Sequence, residues 1–421
     1  MRFDIRTDRR LIASDSVTRY VLASIVAPEG ATRERPPVNL GLALDRSGSM
    51  GGDKIRLARE AAVTAIRRLD SRDRFSVVAF DDQVEVVVPS TVASPEAVTN
   101  AVRAIQSIEA RGSTDLCGGW LRCCEQVAAA VSPNVITRVL VLTDGLANQG
   151  VVDPRAIAGH SGDQRVRGVS TTTIGVGADF DEHLLGQMAD EGGGHFYFVE
   201  HDEQITRAIE TEVGESLEVT LRGVELRVGP ASVATVSPLA QFPTRQEGDE
   251  FVIALGDLVS LQELIVPLRV SFPRDGVVGP VGSAVRLSFS VGASGVARVS
   301  EDIVWTIVTP VEVAAQRRSR RVDHAVAEAY AALARREAGR LNRDGDLAGA
   351  RRLLAGVARK IQGYAGNDPR LQRLARDLEL DAVEYEESLT AMELKMRYMA
   401  SASSLKGRDA SGASLRRPNR S

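Results

Sequence analysis

Leu42-Ala43-Leu44-Asp45-Arg46-Ser47-Gly48-Ser49-Met50 is the stretch whose reading decides the fold. The run at residues 38–44 lacks regular polar alternation, which suits a central strand of a parallel sheet covered on both faces. It stops at an acid, and two hydroxyls follow at alternate positions. In open α/β sheets, ligands bind in the crevice beyond the carboxyl ends of the strands. Asp45, Ser47 and Ser49 are therefore expected at the mouth of that crevice, on a tight turn opened by Gly48. One carboxylate and two hydroxyls make a hard, all-oxygen ligand set, suited to Mg²⁺, Mn²⁺ or Ca²⁺ rather than zinc.

By itself the D-x-S-x-S pattern is weak, because a strand followed by a polar turn explains it better. Two further stretches change that. Gly112-Ser113-Thr114-Asp115 is a polar turn just before a helical pattern. Val139-Leu140-Val141-Leu142-Thr143-Asp144-Gly145 is a second apolar strand that ends in an acid and a glycine.

Together, Asp45, Ser47, Ser49, Thr114 and Asp144 resemble the metal-ion-dependent adhesion site of von Willebrand factor type A (VWA) domains. The resemblance runs over about residues 37–213 and includes strand-like runs at 75–80, 172–177 and 192–198. All five ligand positions match, while Arg46 and Gly48 between them vary freely in the family. The resemblance implies direct coordination by Ser47 and Ser49. Asp45 and Asp144 would act largely through waters, and Thr114 directly or through water depending on state. Mg²⁺ is the first expectation, with Mn²⁺ or Ca²⁺ as alternatives. A partner protein's Asp or Glu would supply the last ligand.

The rest of the chain sets the context. At 421 residues it is too long for one core, so two or three domains are expected. A net charge of −4 with acids and bases interspersed, and 4% aromatic residues, give no reason to expect nucleic-acid binding. Residues 1–6 have no apolar segment of the kind a signal peptide needs, and no run approaches the roughly 18 apolar residues of a membrane span. The expectation is a cytoplasmic protein of open oligomeric state. Cys117, Cys123 and Cys124 fall within one helix with no His nearby, and read as small buried hydrophobes in a reducing compartment.

The expected organisation has five parts. Residues 1–36 contribute one strand, at 19–27, and a Pro/Gly-rich linker from 28 to 37. Residues 37–215 alternate strands with helices at 53–70, 95–108, 116–131, 181–189 and 202–213, which argues a doubly wound, mostly parallel α/β sheet. Residues 216–310 read as short strands of a β-sandwich that the leading strand completes, making the α/β domain an insertion. Sandwich-flanked domains of this kind are similar to inter-alpha-trypsin inhibitor heavy chains and to bacterial chloride-channel-like proteins. Residues 311–402 read as a helical bundle of three helices, at 322–341, 347–364 and 371–399. Residues 403–421, rich in Ser, Gly and Arg, are expected to be disordered.

For function, the donor set points to docking chemistry and away from catalysis. No G-x-x-x-x-G-K-[ST] loop and no H-E-x-x-H helix is present. Ser47 stands where an aspartyl phosphotransferase needs a second acid. His195 and His201 read as packing or surface residues, and Gly192 to Gly194 as a strand-entry turn. The leading expectation is a non-enzymatic, metal-dependent protein-binding scaffold. An accessory subunit of an AAA+ ATPase maturation system and a metal-dependent hydrolase are the alternatives.

Overall fold

The computed structural model describes residues 1–13, 18–30, 35–201, 203–230, 234–272, 279–290 and 296–417. The chain divides into two compact units. One comprises Gly30–Thr220 with Ser411–Ala413; the other comprises Met1–Glu29, Leu221–Ala410 and Ser414–Ser421.

Three strands open the chain: β1 (Arg2–Thr7), β2 (Leu11–Ala13) and β3 (Thr18–Val26). The α/β unit follows. Its elements are β4 (Val38–Asp45), α1 (Asp53–Arg67), β5 (Arg74–Phe80), β6 (Val84–Val92), α2 (Pro95–Gln106) and α3 (Leu116–Ala128). Then come β7 (Ile136–Thr143), α4 (Pro154–Val166), β8 (Ser170–Val176), α5 (Glu182–Glu191), β9 (Gly193–Val199) and α6 (Glu203–Leu217).

The six-stranded sheet has the order β6-β5-β4-β7-β8-β9. β5 and β6 form an antiparallel pair, and every other neighbour is parallel. Every residue of the central strands β4 and β7 is buried, which is why both read as continuous apolar runs. Helix α1 buries Ile55, Ala58, Ala62 and Ile66, spaced by three or four along one face. Helix α2 begins where Ser94 accepts a hydrogen bond from the Ala97 N–H, with Pro95 at the first helical position.

Helix α4 has no counterpart among the sequence expectations. Its sequence carries Gly159 and Gly162 and buries only Ile157, Ala158 and Ser161, so its apolar stripe is too thin to stand out. Within the linker stretch, Arg35 is anchored by Asp73 at 2.7 and 2.8 Å and by Asp70 at 2.7 Å. Residues 31–34 of that stretch lie outside the described residues.

In the other unit, the opening strands join β10 (Val219–Gly229), β11 (Thr235–Pro238), β12 (Thr244–Glu247), β13 (Glu250–Val259), β14 (Glu263–Ser271), β15 (Gly279–Ser290) and β16 (Val296–Val308). One sheet has the order β1-β3-β14-β11, the other β12-β13-β10-β15-β16-β2. Their facing sides share one core that includes Val21, Ile25, Leu226, Ile253, Leu268 and Trp305. Three strands precede the α/β unit where one was expected. β1 and β2 are short, and β1 places only Phe3 and Ile5 against the core.

The helices are α7 (Pro310–Ala315), α8 (Arg320–Arg343), α9 (Leu347–Ala365), α10 (Pro369–Glu384) and α11 (Ala391–Leu405). The single helix expected at 371–399 is two. Thr390 and Glu393 form a capping box that starts α11 afresh. Asn342 holds the break, donating to the Glu387 carbonyl and accepting from the Leu389 N–H, each at 3.1 Å. Alanines of α8 at 327, 331, 334 and 338 let α9 and α10 pack closely through Leu354, Leu371, Leu378 and Tyr385.

The segment expected to be loose from residue 403 is ordered as far as Arg417. Helix α11 continues to Leu405, and Arg408 and Ser414 are bonded and buried. Arg417 takes the Glu263 carboxylate with both Nε and Nη2, and residue 416 bridges Gln262. Arg416 and Arg417 thus have backbone and carboxylate partners at the start of β14. Residues 418–421 lie outside the described residues. Among the described residues, no helix is long and apolar enough to cross a membrane.

Candidate metal centre

Strand β4 delivers Asp45 to the carboxyl edge of the sheet with its carboxylate wholly buried. A turn of 3-10 helix at Gly48–Met50 follows, fixed by the buried Met50 side chain. The Ser47 N–H donates to Asp45 Oδ1 at 2.7 Å, and the Thr143 hydroxyl at the end of β7 donates to Asp45 Oδ2. Ser47 Oγ and Ser49 Oγ lie 3.1 Å apart, and Ser49 Oγ donates to Asp144 Oδ1 at 2.7 Å. Asp144 is as deeply buried as Asp45.

The third loop, between α2 and α3, supplies Thr114. The Gly48 N–H donates to the Gly112 carbonyl at 3.0 Å, which ties that loop to the β4 turn. The Thr114 N–H donates to Asn148 Oδ1 at 2.9 Å, and the Asn148 and Gln149 N–H groups donate to the Thr114 carbonyl at 3.2 Å. A Cβ at Gly145 would lie 3.2 Å from Thr114 Oγ1, 3.8 Å from Ser49 Oγ and 3.9 Å from Asp45 Oδ2. Those three oxygens therefore face one small volume, and the absence of a side chain at residue 145 keeps it open.

Burial raises the Asp45 carboxyl pKa to about 6. Hydrogen bonds from Thr143 and Ser47 pull against that rise, and the negative charge of Asp144 adds to it. Two neighbouring buried carboxylates are costly unless a cation meets them. Lys54, from the first turn of α1, places Nζ on Asp144 Oδ2 and supplies one positive charge. Two carboxylates and three hydroxyls around an open volume fit a hard divalent cation, as the donor chemistry requires. Behind the site, Asp81 is held by Arg46, Arg111 and the Gln83 N–H. Burial alone would raise its carboxyl, but these contacts outweigh that and lower it. Arg46, between Asp45 and Ser47 in sequence, is a buried residue that also reaches Glu85 at 2.6 Å.

The von Willebrand factor type A domain pattern matches residues 39–211. This stretch is a VWA domain. Over 300 residues the chain is 27% identical to the uncharacterized protein sll0103 of Synechocystis, covering 67% of this chain and 70% of that one. It is 28% identical to the uncharacterized protein YfbK of Escherichia coli over 48% of this chain and 36% of that protein. Human inter-alpha-trypsin inhibitor heavy chain H4 is 30% identical over 40% of this chain, which spans only 18% of the inhibitor chain. Among solved structures, a von Willebrand factor type A protein from Catenulispora acidiphila shares the fold over 95% of this chain and 96% of its own, at TM-score 0.73 and 18% identity. The ArnB paralog VWA2 from Sulfolobus acidocaldarius does so over 96% and 97%, at TM-score 0.62 and 15% identity. VWA domains commonly bind divalent cations, and the family is often involved in protein–protein interaction.

A second polar cluster lies within the VWA domain, where His195, Glu212 and Glu215 come together. The Glu212 carboxylate is already engaged by Arg138, by the Thr172 hydroxyl at 3.0 Å and by the Tyr197 hydroxyl at 2.8 Å. His195 Nδ1 adds contacts at 3.1 Å. With a guanidinium on it, this carboxylate fastens α6 to the sheet. The sequence signal for it was available. Ile205, Ile209, Glu212 and Ser216 share the buried stripe of α6, so an acid falls where an apolar residue belongs. The three cysteines of α3 are buried and unpaired, and burial pushes the Cys117 and Cys123 thiols up to about 11 and about 12.

Proposed function

We propose that the VWA domain binds a divalent cation, Mg²⁺ first, through Asp45, Ser47, Ser49, Thr114 and Asp144, and presents it to a carboxylate of a partner protein. What supports this reading above all is the convergence of oxygens from the β4 turn (Asp45 and Ser49) and the Thr114 loop on the volume beside Gly145, with the buried Asp144 carboxylate bonded to Ser49. The cation would supply an electrophilic position for an incoming anionic oxygen. The chain's own residues hold it, balance its charge and keep the turn rigid. No protein nucleophile or general base takes part, so the reading is that of a scaffold without enzymatic activity. The unpaired thiols of α3 fit a reducing compartment, and the cytoplasm is where we propose it acts.

Calorimetric titration of the full chain with Mg²⁺, Mn²⁺ and Ca²⁺ tests the site. Binding is expected for the wild type and its loss for Asp144→Ala. Absence of heat with all three cations would overturn the reading.

A further inference from the structure

We propose that the partner's docking segment carries an aliphatic side chain within two residues of its acid, and that Leu146, Val151 and Val152 receive it. This deepens the cation–carboxylate reading and rests on it. The loop at residues 145–152 leaves the sheet directly after Asp144 and ends before Asp153, which caps α4. Leu146, Val151 and Val152 are 54%, 41% and 49% exposed. Apolar residues scattered singly over a surface need no explanation, but three within seven residues beside a binding site do.

The loop is held, so its backbone is fixed beside the ligand set. Its Asn148 and Gln149 N–H groups are bonded to the Thr114 carbonyl, and Asn148 Oδ1 accepts from the Thr114 N–H. At Gly150, φ is +66° and a Cβ would lie 2.5 Å from Asp115 Oδ1. Only glycine lets the backbone come so close, and its approach fastens the Val151 end of the loop to the Thr114–Asp115 turn. A surface organised in advance loses little entropy when a ligand covers it.

Charge defines the other half of the ligand. Two buried carboxylates balance a divalent cation, and Lys54 on Asp144 leaves one positive charge over, which an incoming carboxylate cancels. The eight residues between Asp144 and Asp153 carry no charged side chain at all. A second charge beside the ligand's acid would therefore find no partner on this rim, whereas an aliphatic group would cover the loop's own exposed apolar surface.

Selection of phage-displayed random heptapeptides on the full chain, in Mn²⁺ and again in EDTA, tests the inference. Chelator-sensitive binders are expected to carry Asp or Glu with Leu, Ile or Val within two positions. For a chosen binder, the combined L146S, V151S and V152S variant should lose about tenfold in affinity, the equivalent of about 1.4 kcal/mol. It should bind Mn²⁺ calorimetrically as the wild type does, which also shows that it folds. A V151I and V152I variant should keep the binder. Acid-bearing peptides with no aliphatic preference, or with no response to the serine variant, overturn this inference and leave the cation–carboxylate reading standing. Binders without an acid, or no chelator-sensitive binders, overturn both.

Discussion

Asp144 meets two cations in this site, Lys54 and the proposed divalent ion, and they lie on the same side of an electrostatic balance. Replacing Lys54 by Met removes the ammonium from Asp144 Oδ2. Calorimetry should then show tighter Mg²⁺ binding, because no resident charge repels the ion, and weaker binding of any acidic peptide. Both changes in the same direction would contradict the charge balance described here. Asp45→Asn should remove the stabilisation that a bound ion gives. In the wild type this is about 2.7 kcal/mol at a hundredfold excess over the dissociation constant, read as a rise in Tm with Mg²⁺ that the variant lacks. At this scale the sequence was readable wherever the chemistry is local. The spacing of Asp45, Ser47 and Ser49 is weak by itself and points to a site only together with Thr114 and with Asp144, which ends an apolar strand. Lys54, Arg46 and Arg138 gave no such signal. Each is an ordinary basic residue until the fold brings Asp144, Asp81 or Glu212 to it from a distant part of the chain.

Elements were legible in proportion to the strength of their apolar pattern. The central strands and α1 stand out because burial is complete along one face or on both. Helix α4 hid because it covers the sheet with few side chains, and the break between α10 and α11 hid because Asn342, outside the segment, secures it. The helical region offers two tests. Leu354 is wholly buried among α8, α9 and α10, so Leu354→Ala should cost about 2–5 kcal/mol in denaturant unfolding. Asp368 caps α10, accepting from the Arg370 and Leu371 N–H groups at 3.0 and 3.2 Å and meeting His324 at 2.8 Å. Its partial burial would raise the carboxyl, but these partners outweigh that and hold it below its ordinary value. Because the folded value is the lower one, the cap contributes fully above the ordinary carboxylate range and fades as pH falls through the folded value. Asp368→Ala should thus cost about 1 kcal/mol near neutrality. The difference from wild type should shrink in unfolding curves taken in acid below about pH 4.

For the whole molecule, the sequence order of the elements matters as much as their packing. Strand β3 pairs with β14 along its full length, from Thr18 with Ser271 to Val26 with Glu263, across the entire VWA domain. The mostly parallel sheet at residues 38–199 is built from its own six strands. Deleting residues 1–27 should therefore abolish cooperative unfolding of the sandwich, because β14 loses its central neighbour and the core loses Val21, Ala23 and Ile25. Chelator-sensitive Mg²⁺ binding by the VWA domain should survive the same deletion.

That long-range pairing dictates a timetable on the ribosome. Strand β3 has β1 on one edge as soon as it is made, yet the partner for its other edge is translated more than 230 residues later, when residues 263–271 appear. Throughout that interval the edge of β3 that β14 will take stands open, with β1 on the other edge alone, a tempting target for chaperones or for a neighbouring nascent chain.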